Sequence, residues 1–186
     1  GKFQAAFFQS VTTRTAGFAS ISQSGLTNGS KLLACMLMIV GGSPAGTAGG
    51  IKTTTVAVLL LTAISVLRGN KDTECYGRKI TFEIIRVGIT ITLVTFVFWL
   101  FGVTVMTVIE PQQKVLDLMF EATSAMATVG LTADLTPVLS DISHVVLMLM
   151  MYIGRIGPMT MALIFSGHVD KKNKFRTLPE AKIMVG

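Results

Sequence analysis

A stretch of 30 residues, 80–109, is almost entirely apolar, and its two charged side chains, Glu83 and Arg86, lie close to its start. As an α-helix it would extend about 45 Å, which exceeds the roughly 30 Å of hydrocarbon in a bilayer. Of the 186 residues in the chain, 51% are hydrophobic and 14% are charged, whereas about a quarter of a soluble domain is charged. The sequence therefore predicts an all-α integral membrane protein.

Basic residues gather in two parts of the chain, the loop 69–79 with Arg68 before it and the tail 168–186. Short basic loops between apolar spans face the cytoplasm, so we expect both parts on that side of the membrane. Residues 110–113 carry no basic side chain and are expected to form an outside turn. The basic residues are not spread as a nucleic-acid-binding patch would be, so no nucleic-acid partner is expected.

The other apolar segments differ in length, and the differences predict different roles. Segment 142–167 is long enough to cross a bilayer, whereas 2–12 and 114–126 suit half-helices that enter and leave on one side. Segment 29–68 is predicted as a broken inner helix, because the glycine-rich residues 41–50 interrupt it. Non-helical backbone at membrane depth is tolerated only where it lines water or is buried in protein.

The chain contains an internal repeat with an offset of 113 residues, which places Gly17 on Gly130. Each copy is a half-helix, a Thr/Gly segment and an inner helix, and the spanning helix 80–109 precedes the second copy. The two copies share one orientation, which favours a pore with rotational pseudosymmetry over an inverted-repeat carrier. Five further pairs match without a gap: Thr15 and Thr128, Phe7 and Phe120, Ser30 and Ser143, Met38 and Met151, Gly41 and Gly154.

The Thr/Gly segments, 13–18 and 127–132, are called here the first and second filter segments. A potassium ion leaves water only where oxygens replace its hydration shell, and rings of backbone carbonyls can do so. Glycine accepts the backbone angles that turn successive carbonyls toward one axis, although a glycine that only caps a half-helix is the alternative. The predicted filter residues are Thr15, Ala16, Gly17, Phe18, Thr128, Val129, Gly130 and Leu131. Within them, K⁺ is expected to bind at Thr15, Ala16, Thr128 and Val129.

Residues 41–50, the intramembrane loop, lie inside an otherwise apolar segment and are predicted to form a movable gate that obstructs the path below the filter. A solvated linker is the alternative. A phosphate-binding P-loop is not supported, because Ile51 separates Gly50 from Lys52 where that motif needs glycine directly before lysine. The predicted gate residues are Gly41, Gly42, Ser43, Pro44, Ala45, Gly46, Thr47, Ala48, Gly49 and Gly50.

Two arginines occupy positions where a charge is costly. Arg155 lies about 20 Å into segment 142–167, near the membrane midplane, so it needs a wet cavity or a partner. We expect it to act as a latch that donates to carbonyls of the intramembrane loop, with a structural arginine paired to a distant carboxylate as the alternative. Arg14 lies in the first filter segment and is expected to point away from the axis. Its expected partner is Glu121 or an acid outside this chain.

Four motifs, TTRTAGF at 12–18, GGSPAGTAGGIKT at 41–53, SAMATVGLT at 124–132 and GRIGP at 154–158, resemble the Trk/Ktr/HKT superfamily of potassium transporters. The match is closest to the membrane subunits of bacterial Ktr systems. The resemblance implies four membrane–pore–membrane units around one pore. Residues 1–68 would be the third unit without its outer helix, and residues 80–167 the fourth.

The resemblance also implies a function and an assembly. It implies potassium uptake across a bacterial cell membrane, often sodium-dependent, without an organic cofactor and without enzymatic activity. It implies a homodimer that contains the remaining N-terminal half of the pore and binds a cytoplasmic nucleotide-binding ring of the KtrA type. A carrier-type secondary transporter with a midplane site at the broken helix, or a membrane assembly subunit that transports nothing, are the alternatives.

Overall fold

The computed structural model describes residues 1–43, 48–70 and 72–157, and most of them are helical. A two-stranded hairpin and one 3₁₀ turn, Thr136–Val138, complete this part of the chain. The α-helices are α1 (Lys2–Thr12), α2 (Asn28–Ile39), α3 (Thr53–Leu67), α4 (Phe82–Ile109), α5 (Val115–Met126) and α6 (Asp141–Ile156).

Helix α4 is the one helix of the described ranges that is long and apolar enough to cross a membrane. It begins two residues after the predicted start because Thr81 is its N-cap. The second predicted span, 142–167, is helical from Asp141 to Ile156, where Gly157 ends the helix with a φ of +83°. The rest of that span, like the tail 168–186, lies outside the described residues.

The inner-helix segment 29–68 is divided, since α2 ends at Ile39 and α3 begins at Thr53. Val40 and Ile51 form an isolated parallel bridge. Gly41 N–H donates to Ile51 O at 2.9 Å, and Ile51 N–H donates to Ile39 O at 3.0 Å. These bonds hold the two ends of the intramembrane loop side by side. The loop therefore begins, after α2, next to the place where it ends, before α3.

Helix α5 lies at the centre of the packing, between α2, α4 and α6. One apolar cluster joins it to α4 and α6 through side chains such as Met106, Leu118 and Met150. A second cluster includes Met38 and Phe120 and continues into the second filter segment. The core therefore forms around the second half-helix and holds the filter segment that follows it.

The predicted cytoplasmic loop 69–79 contains a hairpin of two short strands, β1 (Glu74–Cys75) and β2 (Arg78–Lys79). An exposed ion pair, Lys79 Nζ to Asp72 Oδ1 at 2.6 Å, supports its base. The Ser65 hydroxyl of α3 donates to the Asp72 carbonyl at 2.7 Å. The hairpin is thus attached to the end of α3, a feature that the sequence analysis did not predict.

Candidate functional site

The two filter segments share one backbone conformation at equivalent positions. Thr15 and Gly17 have φ of +66° and +75°, and Thr128 and Gly130 have φ of +54° and +89°. The left-handed region is uncommon for threonine and costs about 1–3 kcal/mol, so the surrounding structure must hold it there. Because both pairs fall on the 113-residue offset, the repeat extends from the sequence into the backbone.

The filter segments lie directly against each other. The Cα of Gly17 is so close to the carbonyl group of Val129 that an added Cβ would overlap the carbonyl oxygen. At Gly130 an added Cβ would meet no atom within 4 Å, and only the positive φ opposes a side chain there. Glycine is therefore required at position 17 by both space and backbone angle, and at position 130 by backbone angle.

Each filter segment is folded back onto the end of its own half-helix. In the first, the Thr12 hydroxyl donates to Phe18 O at 2.6 Å, and Ala16 N–H donates to Thr12 O at 3.1 Å. In the second, Val129 N–H donates to Ser124 O at 2.9 Å. These bonds place the Thr/Gly backbone at the C-terminal ends of α1 and α5. The negative end of each helix dipole lies there and favours a cation.

Glu121, on α5, is buried and braces the chain that follows the second filter segment. Its carboxylate accepts hydrogen bonds from Thr132 Oγ1 at 2.6 Å, Ala133 N at 2.9 Å and Thr136 Oγ1 at 2.9 Å. The sequence analysis considered Glu121 only as a partner for an arginine. An acidic residue near the C-terminal end of the half-helix, just before a loop with several threonines, was the signal for this bracing role.

Arg14 is exposed, and its Nη1 donates to the carbonyl oxygen of Val40 at 2.7 Å. Glu121, one of the two candidate partners of Arg14, is therefore not that partner, because the Glu121 carboxylate is used within its own repeat. A backbone carbonyl was available at Val40 because α2 ends there without a following helical turn. Arg14 consequently joins the first filter segment to the start of the intramembrane loop.

The intramembrane loop is described at both ends, and its middle residues, Pro44, Ala45, Gly46 and Thr47, lie outside the described residues. Gly49 N–H donates to the hydroxyl of Thr128 at 3.1 Å. A Cβ added at Gly49 would lie 2.8 Å from the carbonyl oxygen of Ala127, so the returning end of the loop packs against the second filter segment. The Lys52 ammonium donates to the Ala48 carbonyl within the same end.

Arg155 lies in the last turn of α6 and is exposed. A positive charge is favourable at a helix C-terminus, which is where the structure places it. The preceding residue, Gly154, packs against the carbonyl oxygen of Met126, and an added Cβ would overlap that oxygen. Helix α6 therefore approaches the backbone at the start of the second filter segment, one residue before the arginine.

Two polar contacts between the two repeats were missed by the sequence analysis. Lys31 on α2 pairs with Asp117 on α5 at 2.6 Å, and 7% and 21% of their side chains are exposed. Asp134 accepts a hydrogen bond from Ser22 at 3.1 Å, and the side chain of Ser24 lowers the pKa of Asp134 most strongly. Both contacts join the first repeat to the second.

A sequence profile of the TrkH family, described as a cation transport protein, matches residues 1–176. The chain belongs to the TrkH family. The resemblance to the Trk/Ktr/HKT superfamily is thus confirmed, and membership places the chain among membrane transport proteins.

Three relatives illustrate the TrkH family. Ktr system potassium uptake protein B of Bacillus subtilis (strain 168) is 36% identical over 185 residues, which are 100% of this chain and 41% of the relative. Potassium/sodium uptake protein NtpJ of Enterococcus hirae is 36% identical over 97% of this chain and 41% of its own length. Ktr system potassium uptake protein D of Bacillus subtilis (strain 168) is 34% identical over 96% of this chain and 39% of its own length. This chain therefore spans about two fifths of the length of these curated relatives.

Proposed function

We propose that this chain forms half of a potassium pore, with residues 1–68 and 80–167 as two of four pore units. The observation that carries the proposal is the repeated left-handed backbone at Thr15, Gly17, Thr128 and Gly130, in two segments that touch each other. The names of the relatives, which are potassium or potassium/sodium uptake proteins, support potassium as the ion.

In the proposed filter, carbonyl oxygens of Thr15, Ala16, Thr128 and Val129 replace part of the hydration shell of K⁺. Helices α1 and α5 end just before these residues and direct the negative ends of their dipoles toward the ion. Each unit contributes one glycine, so few carbonyl rings are stacked, and we expect sodium to compete more than in a longer filter. The remaining ligands come from the N-terminal half of the same pore.

The proposed gate is the intramembrane loop, and its hydrogen-bonded ends support that role. The bonds of Gly41 and Ile51 hold the loop at its base, and Thr128 holds Gly49 against the filter. Arg155 is the proposed latch, which donates to loop carbonyls and places a positive charge below the filter.

The proposed assembly is a homodimer in a bacterial cell membrane, with the tail 168–186 in the cytoplasm. A nucleotide-binding ring of the KtrA type is the proposed cytoplasmic partner, and the relatives named as parts of a Ktr system support a protein that works with other components. Coupling to Na⁺ is proposed with K⁺ as the transported ion, and the name of the Enterococcus relative supports it.

The filter is tested with Gly17→Ser and Gly130→Ser in the full-length protein, by potassium uptake measured with and without competing sodium. We expect both variants to lose potassium affinity and to admit sodium. The larger effect is expected at Gly17, because its side chain would also displace Val129.

Gly69→Ser is the matched control, because Gly69 has a φ of +69° and open space around it, in the predicted cytoplasmic loop. It carries the same backbone penalty away from the filter and should leave selectivity unchanged. Unchanged uptake in both filter variants would reject the pore and favour the carrier alternative, which needs no glycine at either position.

The gate is tested by deleting residues 44–47 and, separately, by Arg155→Ala in the full-length protein. Both changes are expected to raise potassium flux and to weaken its control by the cytoplasmic partner. Arg155→Lys keeps the charge and should restore the latch only in part, since lysine lacks the planar fork of arginine. A folded deletion variant with normally regulated flux would reduce the loop to a linker.

A further inference from the structure

A cavity of about 230 Å³ lies between α4, α5 and the returning end of the intramembrane loop. Phe96 and Trp99 of α4 line one side, Met126 and Ala127 another, and Ile51 a third. An apolar cavity of roughly 150 Å³ is large enough to take up benzene. This cavity is larger, so it has room for a hydrocarbon ligand.

The polar atoms around the cavity are already satisfied by the protein. The hydroxyl of Thr95 donates to Ile91 O at 2.7 Å, within α4. Trp99 Nε1 donates to Thr123 Oγ1 at 2.8 Å, and that hydroxyl donates in turn to Met119 O at 2.6 Å. A water molecule needs two to four polar partners, and the hydroxyl and indole protons here are already donated within the protein, so the cavity is suited to an apolar occupant.

The cavity lies beside the middle of α4, and this depth indicates which apolar molecules surround the protein there. Thr95 and Phe96 are the fourteenth and fifteenth of the 28 residues of α4. They therefore lie at the middle of a helix that is long enough to cross the membrane, at the depth of the lipid tails. Leu93 and Phe96 line the cavity and are also 59% and 53% exposed on the outer surface, so a tail has a route between them.

We propose that this cavity binds the hydrocarbon tail of a membrane lipid. The tail would pack against Trp99 and reach the backbone at Gly50 and Ile51, where the intramembrane loop rejoins the helical path. Burial of apolar surface stabilises such a complex. A consequence that rests on the proposed function is that the occupied cavity restrains the base of the gate.

Binding is measured by the fluorescence of Trp99, because this residue lines the cavity and is the one tryptophan of the sequence. The full-length protein is reconstituted in bilayers of phosphatidylcholine brominated at the middle of its tails, and bromine quenches nearby tryptophan. A Trp99→Phe variant provides the background from tryptophans elsewhere in the full-length protein. We expect strong quenching of the Trp99 signal.

Thr95→Leu fills the cavity from the same helix and should remove most of this quenching. Thr104→Leu is the matched control, since Thr104 also bonds the carbonyl four residues before it but is exposed and lies away from the cavity. It should be quenched like the unaltered protein. Thr92→Leu, at another lining position, repeats the test if Thr95→Leu does not fold.

Brominated stearic acid in unbrominated bilayers forms the second arm of the experiment. Quenching that depends on the cavity with brominated phospholipid identifies a lipid tail, and the same result with the free acid identifies a fatty acid as a further source. Equal quenching before and after the cavity is filled, with both probes, would overturn the proposal. The measurement needs no transport, so it can fail or succeed independently of the pore.

Discussion

The two repeats have the same filter backbone but different surroundings. Phe7 and Phe120 occupy equivalent positions on α1 and α5, yet 65% of Phe7 is exposed and Phe120 is fully buried. Helix α5 packs between α2, α4 and α6, whereas no element within the described ranges corresponds to α4 beside α1. The left-handed Thr and Gly positions are therefore maintained by local bonds to the half-helix rather than by the amount of packing around it.

The inner helices differ at the equivalent residues Gly41 and Gly154. Helix α2 has already ended at Gly41, which packs against the carbonyl of Gly49 in the returning chain. Helix α6 continues through Gly154, which packs against the carbonyl of Met126. Glycine permits close approach in both repeats, but in one it lets the chain fold back on itself and in the other it lets two elements meet.

The largest effect is expected from Gly154→Ala, which tests the close contact between α6 and the Met126 carbonyl. The added Cβ would overlap the Met126 carbonyl, and overpacking of this kind costs about 1–3 kcal/mol. We expect a loss near the upper end, despite the gain of about 1 kcal/mol that alanine gives a helix.

Thermal unfolding of the full-length protein in detergent measures this loss. Gly29→Ala is the control, because Gly29 also lies in an inner helix but a Cβ there meets nothing within 4 Å. It should be neutral or stabilising. Equal unfolding temperatures for the two variants would show that α6 does not approach Met126 as closely as described.

The next largest effect is expected at the ion pair between Lys31 and Asp117, which joins the two repeats. Breaking a fully buried pair costs roughly 3–5 kcal/mol, and we expect about 2 kcal/mol for Asp117→Asn because 21% of Asp117 is exposed. Asp72→Asn, which breaks the exposed pair with Lys79, should cost less than about 1 kcal/mol. Thermal unfolding of both variants tests this, and similar losses would contradict the difference in burial.

A smaller loss of stability is expected at the N-caps of α2 and α6, and it should be the same at both because the two caps are equivalent in the repeat. Thr27 and Ser140 each accept a hydrogen bond from a backbone N–H, that of Ser30 and Ser143 respectively. Replacing either cap by alanine should cost about 1 kcal/mol. Thr81→Ala at the start of α4 is the control, since Thr81 makes no side-chain cap bond. Clearly unequal losses at the first two positions, again by thermal unfolding, would break the equivalence.

The smallest effect is a pH dependence at Glu110, whose carboxylate accepts hydrogen bonds from the start of α6 in the second repeat. The backbone N–H of Ser140 donates to its carboxylate at 2.8 Å and lowers its pKa. A carboxyl whose folded pKa lies below its unfolded value stabilises the fold above the unfolded pKa, and this contribution is lost as pH falls through the folded pKa. Glu110→Gln should therefore flatten the decline of thermal stability in acid, and an unchanged profile would contradict the bond.

Much of the helical organisation could be predicted because its causes are local. The helical bounds predicted at 2–12 and 114–126 agree with Lys2–Thr12 and Val115–Met126, while the role of these helices as half-helices stays a prediction. The interruption at 41–50 follows from its glycines and proline, which disfavour a helix wherever they stand. The membrane class follows from apolar length alone.

The contacts of the candidate site could not be predicted, because they depend on how distant elements are placed. Nothing near Arg14 in the sequence indicates that a carbonyl 26 residues away, at Val40, is its acceptor. The bond from Gly49 to Thr128 spans 79 residues. The sequence indicated which residues were unusual, but their partners depend on contacts between distant parts of the chain, within one repeat for Arg14 and between the repeats for Gly49.

The hydrogen bond between Gly49 and Thr128 also has a thermodynamic consequence. The hydroxyl of Thr128 belongs to a proposed filter residue, and its donor belongs to the proposed gate. If an ion at the filter favours the orientation of Thr128 that accepts this bond, the docked loop must increase affinity for that ion by the same factor, since coupling between two sites is reciprocal. Ion occupancy and gate position are then two linked equilibria that share a single hydroxyl group.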